Sequence, residues 1–182
     1  MKYLVIAAFC TLFCTQLVAQ KFPDLDASPA DIAMAKGKDK QPLAKVIYSR
    51  PQKKGRVIFG ELEPYGKVWR TGANEATEIK IYKDVTIAGK PLKTGTYSLY
   101  TIPEKDKWTI IFNSDLDQWG AYSYNKEKDL LRIEVKPTKT ESTVEAFSIL
   151  FKETDKGANL LMAWDEVLVE FPIEIAVTNK KK

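Results

Sequence analysis

Histidine is absent from this 182-residue chain, and cysteine occurs only twice, at Cys10 and Cys14. Without histidine there can be no Ser-His-Asp triad, no Cys-His nucleophile and no His-ligated zinc. Phosphate-binding loops and dinucleotide fingerprints are also missing, because the nine glycines are scattered singly. These absences leave carboxylate, lysine or tyrosine chemistry and non-catalytic binding, and we predict neither a cofactor nor a metal.

Residues 1–19 have the pattern of a secretory signal peptide. Lys2 supplies a positive start, residues 4–18 are mostly apolar, and Ala19 precedes a plausible cleavage point. Both cysteines lie in this segment, so the mature chain would carry no disulfide. We therefore expect export to the periplasm or the cell exterior. Phe13 before Cys14 does not favour lipidation.

The segment that follows the signal peptide and the C-terminal tail are both polar. Residues 20–41 form a polar arm in which Ser28 and Pro29 resemble a helix start, with Asp31 close behind. The arm is therefore predicted to carry a short helix over residues 28–35. Residues 178–182 form a lysine-rich tail that we interpret as solvated. The net charge of +4 is too weak and dispersed to predict nucleic-acid binding. No segment after the signal peptide has the length and hydrophobicity of a membrane span.

Residues 42–177 alternate between apolar and polar side chains with a period of two. Leu131, Ile133 and Val135 alternate with charged neighbours, and residues 167–173 repeat the pattern. Such alternation is typical of half-buried strands, and turn residues punctuate it at short intervals. We predict a single all-β domain, an antiparallel, jelly-roll-like β-sandwich of about nine to eleven strands.

Arginine is scarce but concentrated, because Arg50, Arg56 and Arg70 are three of only four in the chain. Arginine suits planar, bidentate recognition. The sequence around Arg70 also combines polar and aromatic residues with permissive glycine, as binding loops do. Arg50, Trp69, Arg70, Asn74 and Glu75 are therefore predicted to line a ligand-binding cleft, with Arg56 nearby. Alternatively, these residues form a structural network in which Trp69 plugs one end of the sandwich.

A second predicted part of the site is aromatic. Trp119 and Tyr122 follow a polar loop, and such rings can stack on a sugar while Asn113 hydrogen-bonds its hydroxyls. The alternative is that the aromatic residues fill the space between two sheets. We expect this structural role for Trp108 and Trp164.

Carboxylates offer two further interpretations. Glu61 and Glu75 could act as a glycosidase pair, which requires a separation of about 5–10 Å between the two carboxyl groups. Asp115 and Asp117 have the two-residue spacing of an oxygen-ligand site for Ca²⁺, although a solvated turn explains the same spacing.

Five ordered motifs carry a family resemblance: PLAKVIYSRPQKKGRVIFG, VWRTGANEAT, GTYSLYTIP, WTIIFN and QWGAYSYN. Together they resemble the bacterial family known as domain of unknown function 2911, over roughly residues 28–175. The resemblance implies an exported protein and no particular activity. It identifies no catalytic residues.

Three functions remain open at this point. The first is a non-enzymatic envelope binding module for a small polar or carbohydrate-like ligand. The second is a structural or interaction protein without a small-molecule site. The third is a hydrolase that uses carboxylates.

Overall fold

The computed structural model describes residues 20–176, so the predicted signal peptide and the lysine-rich tail lie outside the described residues. The described chain contains ten strands, within the predicted range of nine to eleven, and one 3₁₀ helix, Lys126–Lys128. The strands are β1 (Ala30–Lys36), β2 (Pro42–Ser49), β3 (Glu78–Ile81), β4 (Val85–Ile87), β5 (Lys90–Leu92), β6 (Gly95–Ile102), β7 (Trp108–Asn113), β8 (Asp129–Val135), β9 (Thr138–Glu153) and β10 (Gly157–Ile175). Nowhere in residues 20–176 is there a helix with the length and apolar character needed to cross a bilayer.

The strands form two antiparallel sheets, which confirms the all-β prediction. One sheet has six strands in the order β1-β2-β3-β6-β7-β8, and the other has four in the order β5-β4-β10-β9. The chain changes sheet between β3 and β4, returns at β6, and changes again between β8 and β9.

The apolar faces of both sheets meet in one core. The alternation seen in the sequence buries Leu131 and Ile133 on one sheet and Val169, Phe171 and Ile173 on the other, all within a single hydrophobic cluster. In β10 the buried positions change from even to odd numbers across the irregular register between Ala163 and Val167. Most strands contribute every second residue, because successive side chains point to opposite faces. The six-stranded sheet therefore has an inner face in the core and an outer face on which other groups can be placed.

An aromatic cluster fills one end of the core. The ring centroids of Trp69 and Trp164 lie 5.9 Å apart with nearly parallel planes. Phe147 lies 5.1 Å from Trp69, and Phe59 lies 4.9 Å from Trp108, both edge to face. Trp108 and Trp164 thus have the core role predicted for them, and Trp69 joins them.

The predicted helix in the arm is wrong, because residues 30–36 form the edge strand β1. The strand pairs with β2 in antiparallel register, with Ala30 opposite Ser49 and Ile32 opposite Ile47. Ala35 is buried against the core, whereas Ile32 faces outward. An isolated helix of one or two turns is marginal in water. Ser28 and Pro29 carry a local helix signal. Pairing with β2 nevertheless gives the backbone groups of β1 hydrogen-bond partners and buries Ala35.

Candidate functional site

Residues 70–77, the strap, cross the outer face of the six-stranded sheet. Trp69 exchanges two backbone hydrogen bonds with Thr101 of β6, after which the chain turns. Thr71 has a left-handed backbone (φ 56°), which is unusual for a β-branched residue. Its carbonyl accepts a hydrogen bond from the Thr77 hydroxyl at 2.6 Å, and the Trp69 indole donates to the Gly72 carbonyl at 3.0 Å. Buried hydrogen bonds therefore fix the shape of the strap.

Residues 114–124, the outer loop, lie beside the strap, and Asn113 anchors them. The buried amide of Asn113 donates to the Asn125 carbonyl at 2.9 Å and to the Asp129 carboxylate at 2.8 Å. Its carbonyl oxygen accepts from the Asp115 N–H at 2.9 Å. Asn113 was predicted to bind ligand, but in the structure all of these hydrogen bonds hold the loop.

The strap and the outer loop are joined into one rim by backbone pairing. The Ala76 N–H donates to the Gln118 carbonyl at 2.8 Å, and the Gly120 N–H donates to the Asn74 carbonyl at 3.1 Å. Glu75 and Trp119 form the antiparallel bridge between them. Residues directly opposite in such a bridge project from the same face. The side chains of Glu75 and Trp119 therefore stand next to each other on the rim.

Below this rim is a cleft of about 210 Å³ on the outer face of the six-stranded sheet. Its floor is mainly apolar, and its edges carry three carboxylates. The lining residues are Ala30, Ile47, Tyr48, Ser49, Glu75, Ala76, Glu78 and Asp117. The cleft therefore combines an apolar contact surface with groups that accept hydrogen bonds from hydroxyl or amine donors.

The carboxylates come from three separate segments. Glu78 begins β3, Glu75 lies in the strap, and Asp117 lies in the outer loop, where its N–H donates to the Glu78 carboxylate at 3.1 Å. Asp115, the partner of Asp117 in the calcium interpretation, engages its backbone N–H with Asn113 and its carbonyl with the Ser98 hydroxyl. Within residues 20–176 no group of three or more acidic, histidine or cysteine side chains is arranged to hold a metal ion.

The tryptophans differ sharply in exposure. Trp119 is 63% exposed, whereas Trp69, Trp108 and Trp164 are at most 3% exposed. Tyr122 is also exposed, and its ring lies across Gly120, where an added Cβ would come within 2.9 Å of it. The exposed aromatic rings that the sequence predicted are thus Trp119 and Tyr122, and Trp69 belongs to the core.

Two of the predicted arginines bind backbone and neighbouring side chains. Arg50 donates to the Phe147 carbonyl at 3.1 Å, to the Asp31 carboxylate at 3.0 Å and to the Ser148 hydroxyl at 2.7 Å. It therefore links the six-stranded sheet to β9 of the other sheet. Arg56 donates to two carbonyls of residues 52–53 and closes its own loop.

Arg70 lies on the outer face, outside the cleft lining. The Trp69–Thr101 pair places Arg70 opposite Tyr100, and a Cβ on Gly120 would be 3.8 Å from the guanidinium. Within the described residues, the Arg70 Nε and the Tyr100 hydroxyl are buried without hydrogen-bond partners. Burial raises the pKa of Tyr100. Within residues 20–176, Arg70 and Glu75 form no salt bridge with each other.

Asn74 and Glu75 are neighbours in the strap, but only Glu75 lines the cleft. Asn74 donates to the Asp26 carboxylate at 3.1 Å and so ties the strap to the arm. Hydrogen bonds from the Ser28 N–H and from Asn74 lower the pKa of Asp26. Of the nine predicted site residues, Glu75 alone lines the cleft, with Trp119 beside it.

Sequence reasoning missed most of the cleft wall. Ala30, Ile47 and Glu78 enter the cleft because β1, β2 and β3 are adjacent in the sheet. The alternation in residues 78–82 placed Glu78 on the face opposite the apolar residues, which was a usable signal. Nothing local indicated which strands would lie beside it.

Comparison with known proteins gives one match. A family model described as a protein of unknown function (DUF2911) matches residues 28–173. No curated protein matches the chain, and no solved structure does. The matched residues begin just before β1 and end within β10, so they include the strap, the outer loop and the cleft.

Proposed function

Because the chain belongs to the DUF2911 family, whose description gives no function, we propose a function from the site: the protein binds a small polar or carbohydrate-like ligand in the cleft beside Glu75. The scaffold is a jelly-roll-like β-sandwich, and the protein acts without catalysis in the cell envelope after export. Residues 1–19 act as its signal peptide.

The observation that carries the proposal is the exposed indole of Trp119 next to an apolar cleft. Trp119 is 63% exposed, although the core holds the other three tryptophans. A large aromatic ring in water offers a stacking surface for a ring-shaped or planar ligand. Its backbone bridge to Glu75 keeps this surface beside a carboxylate that lines the cleft.

The chemistry of the cleft suits a ligand that carries several hydrogen-bond donors. Glu75, Glu78 and Asp117 supply carboxylate oxygens, which accept hydrogen bonds from hydroxyl or amine groups. Ile47 and Ala76 supply apolar contact. The backbone bonds between strap and outer loop hold the rim in place before binding, which lowers the entropic cost of binding.

The competing hypotheses have less support. The hydrolase hypothesis depends on Glu61 acting with Glu75, and Glu61 is not among the residues that line the cleft. A purely structural role would leave no solvent-reachable cavity near the strap, whereas the cleft there is open and has a volume of about 210 Å³.

Ligand-dependent thermal stability tests the proposal, with the protein screened against mono- and oligosaccharides and other small polar compounds. A ligand should raise the melting temperature of the wild type and shield Trp119 fluorescence from acrylamide. Trp119→Ala and Glu75→Gln should lose the shift. Glu127→Gln, an exposed carboxylate on the 3₁₀ helix, is the matched control and should keep it. Equal shifts in all four proteins, or no shift in the wild type, would contradict the proposal.

A further inference from the structure

A second, shallower groove continues the cleft along the outer face of the six-stranded sheet. Its volume is about 150 Å³, and it is lined by Lys45, Ile47, Glu78, Lys80 and Thr96. Ile47 and Glu78 line both depressions. The two depressions therefore form one groove, and Ile47 lies near its middle.

Strand register sets the order of groups along this groove. Lys45 pairs with Lys80, and Ile47 pairs with Glu78, which places the two lysines in one row and Ile47 with Glu78 in the next. Residues two apart on a strand lie about 7 Å apart. From Lys45 to Ser49, where the strap crosses, the distance is about 13 Å.

The two ends of the groove carry opposite charges. Glu75 and Asp117 stand at the end nearest the rim, and Lys45 and Lys80 stand at the other. No salt bridge described within residues 20–176 involves any of these four side chains. Lys80 Nζ lies 5.0 Å from the centroid of the Tyr82 ring. Charges of both signs at the ends of one groove, outside any described salt bridge, are available to a ligand.

The middle of the groove combines the exposed side chain of Ile47 with the carboxylate of Glu78, which accepts a hydrogen bond from the Asp117 N–H at 3.1 Å. Ile47 is 41% exposed, and its cross-strand partner Ile32 is 59% exposed. Exposed aliphatic residues on adjacent strands form a surface that favours apolar contact. A ligand that fills the groove would thus have a cationic end, an apolar group in contact with Ile47, and an anionic end.

We propose that the ligand is a short extended peptide with free termini. Its amine lies at Glu75 and Asp117, and its carboxylate lies at Lys45 and Lys80. An extended chain rises about 3.4 Å per residue, so three or four residues span the groove. An apolar side chain in the middle of the peptide contacts Ile47. This inference rests on the proposed function, because it names the ligand class of the same cleft.

Calorimetric titration with tetra-alanine tests the assignment of both ends. N-terminal acetylation and C-terminal amidation each remove one charge, and each should weaken binding about fivefold, as expected for a solvent-accessible ion pair. In the double variant Lys45→Met/Lys80→Met, amidation should have no further effect, whereas acetylation should still weaken binding. The variant Glu75→Gln/Asp117→Asn should show the reverse. Lys126→Met on the 3₁₀ helix is the control and should behave as the wild type.

The outcomes separate this inference from the proposed function. If doubly blocked tetra-alanine binds as tightly as the free peptide, the charge assignment is overturned. If a neutral saccharide protects Trp119 and tetra-alanine does not bind, the peptide inference fails and the proposed function stands. If neither class of ligand binds, both fail.

Discussion

The partly buried carboxyl group of Glu63 predicts how the free energy of unfolding changes with pH. Glu63 lies in the turn of residues 58–63, where its N–H donates to the Ile58 carbonyl at 2.9 Å and its carbonyl accepts from the Gly60 N–H. Burial raises the pKa of its carboxyl group to about 7, although the charges of Arg70 and Arg56 act in the opposite direction. The native state therefore holds a proton that the unfolded chain releases near its ordinary pKa of 4.5.

The sign of the pH dependence follows from this proton. Below pH 4.5 both states are protonated, and the group has no effect on stability. Between pH 4.5 and about 7 only the unfolded chain is ionised, so the free energy of unfolding falls as pH rises. The slope is about 1.4 kcal/mol per pH unit, which gives a total loss of at most about 3 kcal/mol.

The substitution Glu63→Gln should abolish this loss, because the amide has similar shape and no charge. At pH 8 the variant should be more stable than the wild type by up to about 3 kcal/mol, or about 6–12 °C in melting temperature for a domain of this size. At pH 4 the two proteins should melt together. Urea unfolding at half-unit pH intervals measures the difference.

Glu61→Gln is the matched control, since Glu61 is an exposed carboxylate in the same turn. This substitution should leave the dependence of the free energy of unfolding on pH unchanged between pH 4.5 and 7. If wild type and Glu63→Gln lose stability in parallel over that interval, the carboxyl group of Glu63 is not held protonated by burial, and the reasoning is refuted.

Three further predictions concern stability and are measurable by urea unfolding. Trp69→Ala should lower the free energy of unfolding by about 3–5 kcal/mol, because it leaves a cavity in the aromatic cluster. Trp119→Ala should change the free energy of unfolding by less than about 0.5 kcal/mol. Similar losses in the two variants would contradict the difference in burial. Gly72→Ala should cost about 1–3 kcal/mol, since its Cβ would lie 2.9 Å from the Ser49 carbonyl oxygen; an unchanged midpoint would show that the strap can shift freely. Arg50→Met should cost about 1 kcal/mol through lost bonds between the sheets, and a stabilised variant would exclude that linking role.

Much of the fold follows from the sequence pattern. Strict alternation in residues such as Leu131, Ile133 and Phe171 predicts strands with one buried face, and these residues do lie in the core. The helix predicted for the arm shows the limit of local signals. Ser28 and Pro29 do favour a helix start, but pairing with β2 is a long-range interaction that local propensity does not include.

The site was predictable only in part. The scarcity of arginine pointed to residues 50–77, but Arg50 donates to the Phe147 carbonyl of β9 and Arg56 donates to carbonyls of its own loop. Glu75 lines the cleft, and Trp119 stands exposed beside it. Composition identifies a segment with special polar residues. It does not distinguish a side chain that faces a ligand from one that holds a loop.

The sequence by itself determined the class of fold, the family and the chemistry available, because periodicity, motif order and the absence of histidine are properties of the chain alone. Only the tertiary structure decided that Glu75, Glu78 and Asp117 share one cleft and that Lys45 and Lys80 lie beyond it. The physical reason is that strand register and loop pairing join residues far apart in the chain. Local side-chain preferences orient each strand but carry no information about its neighbours.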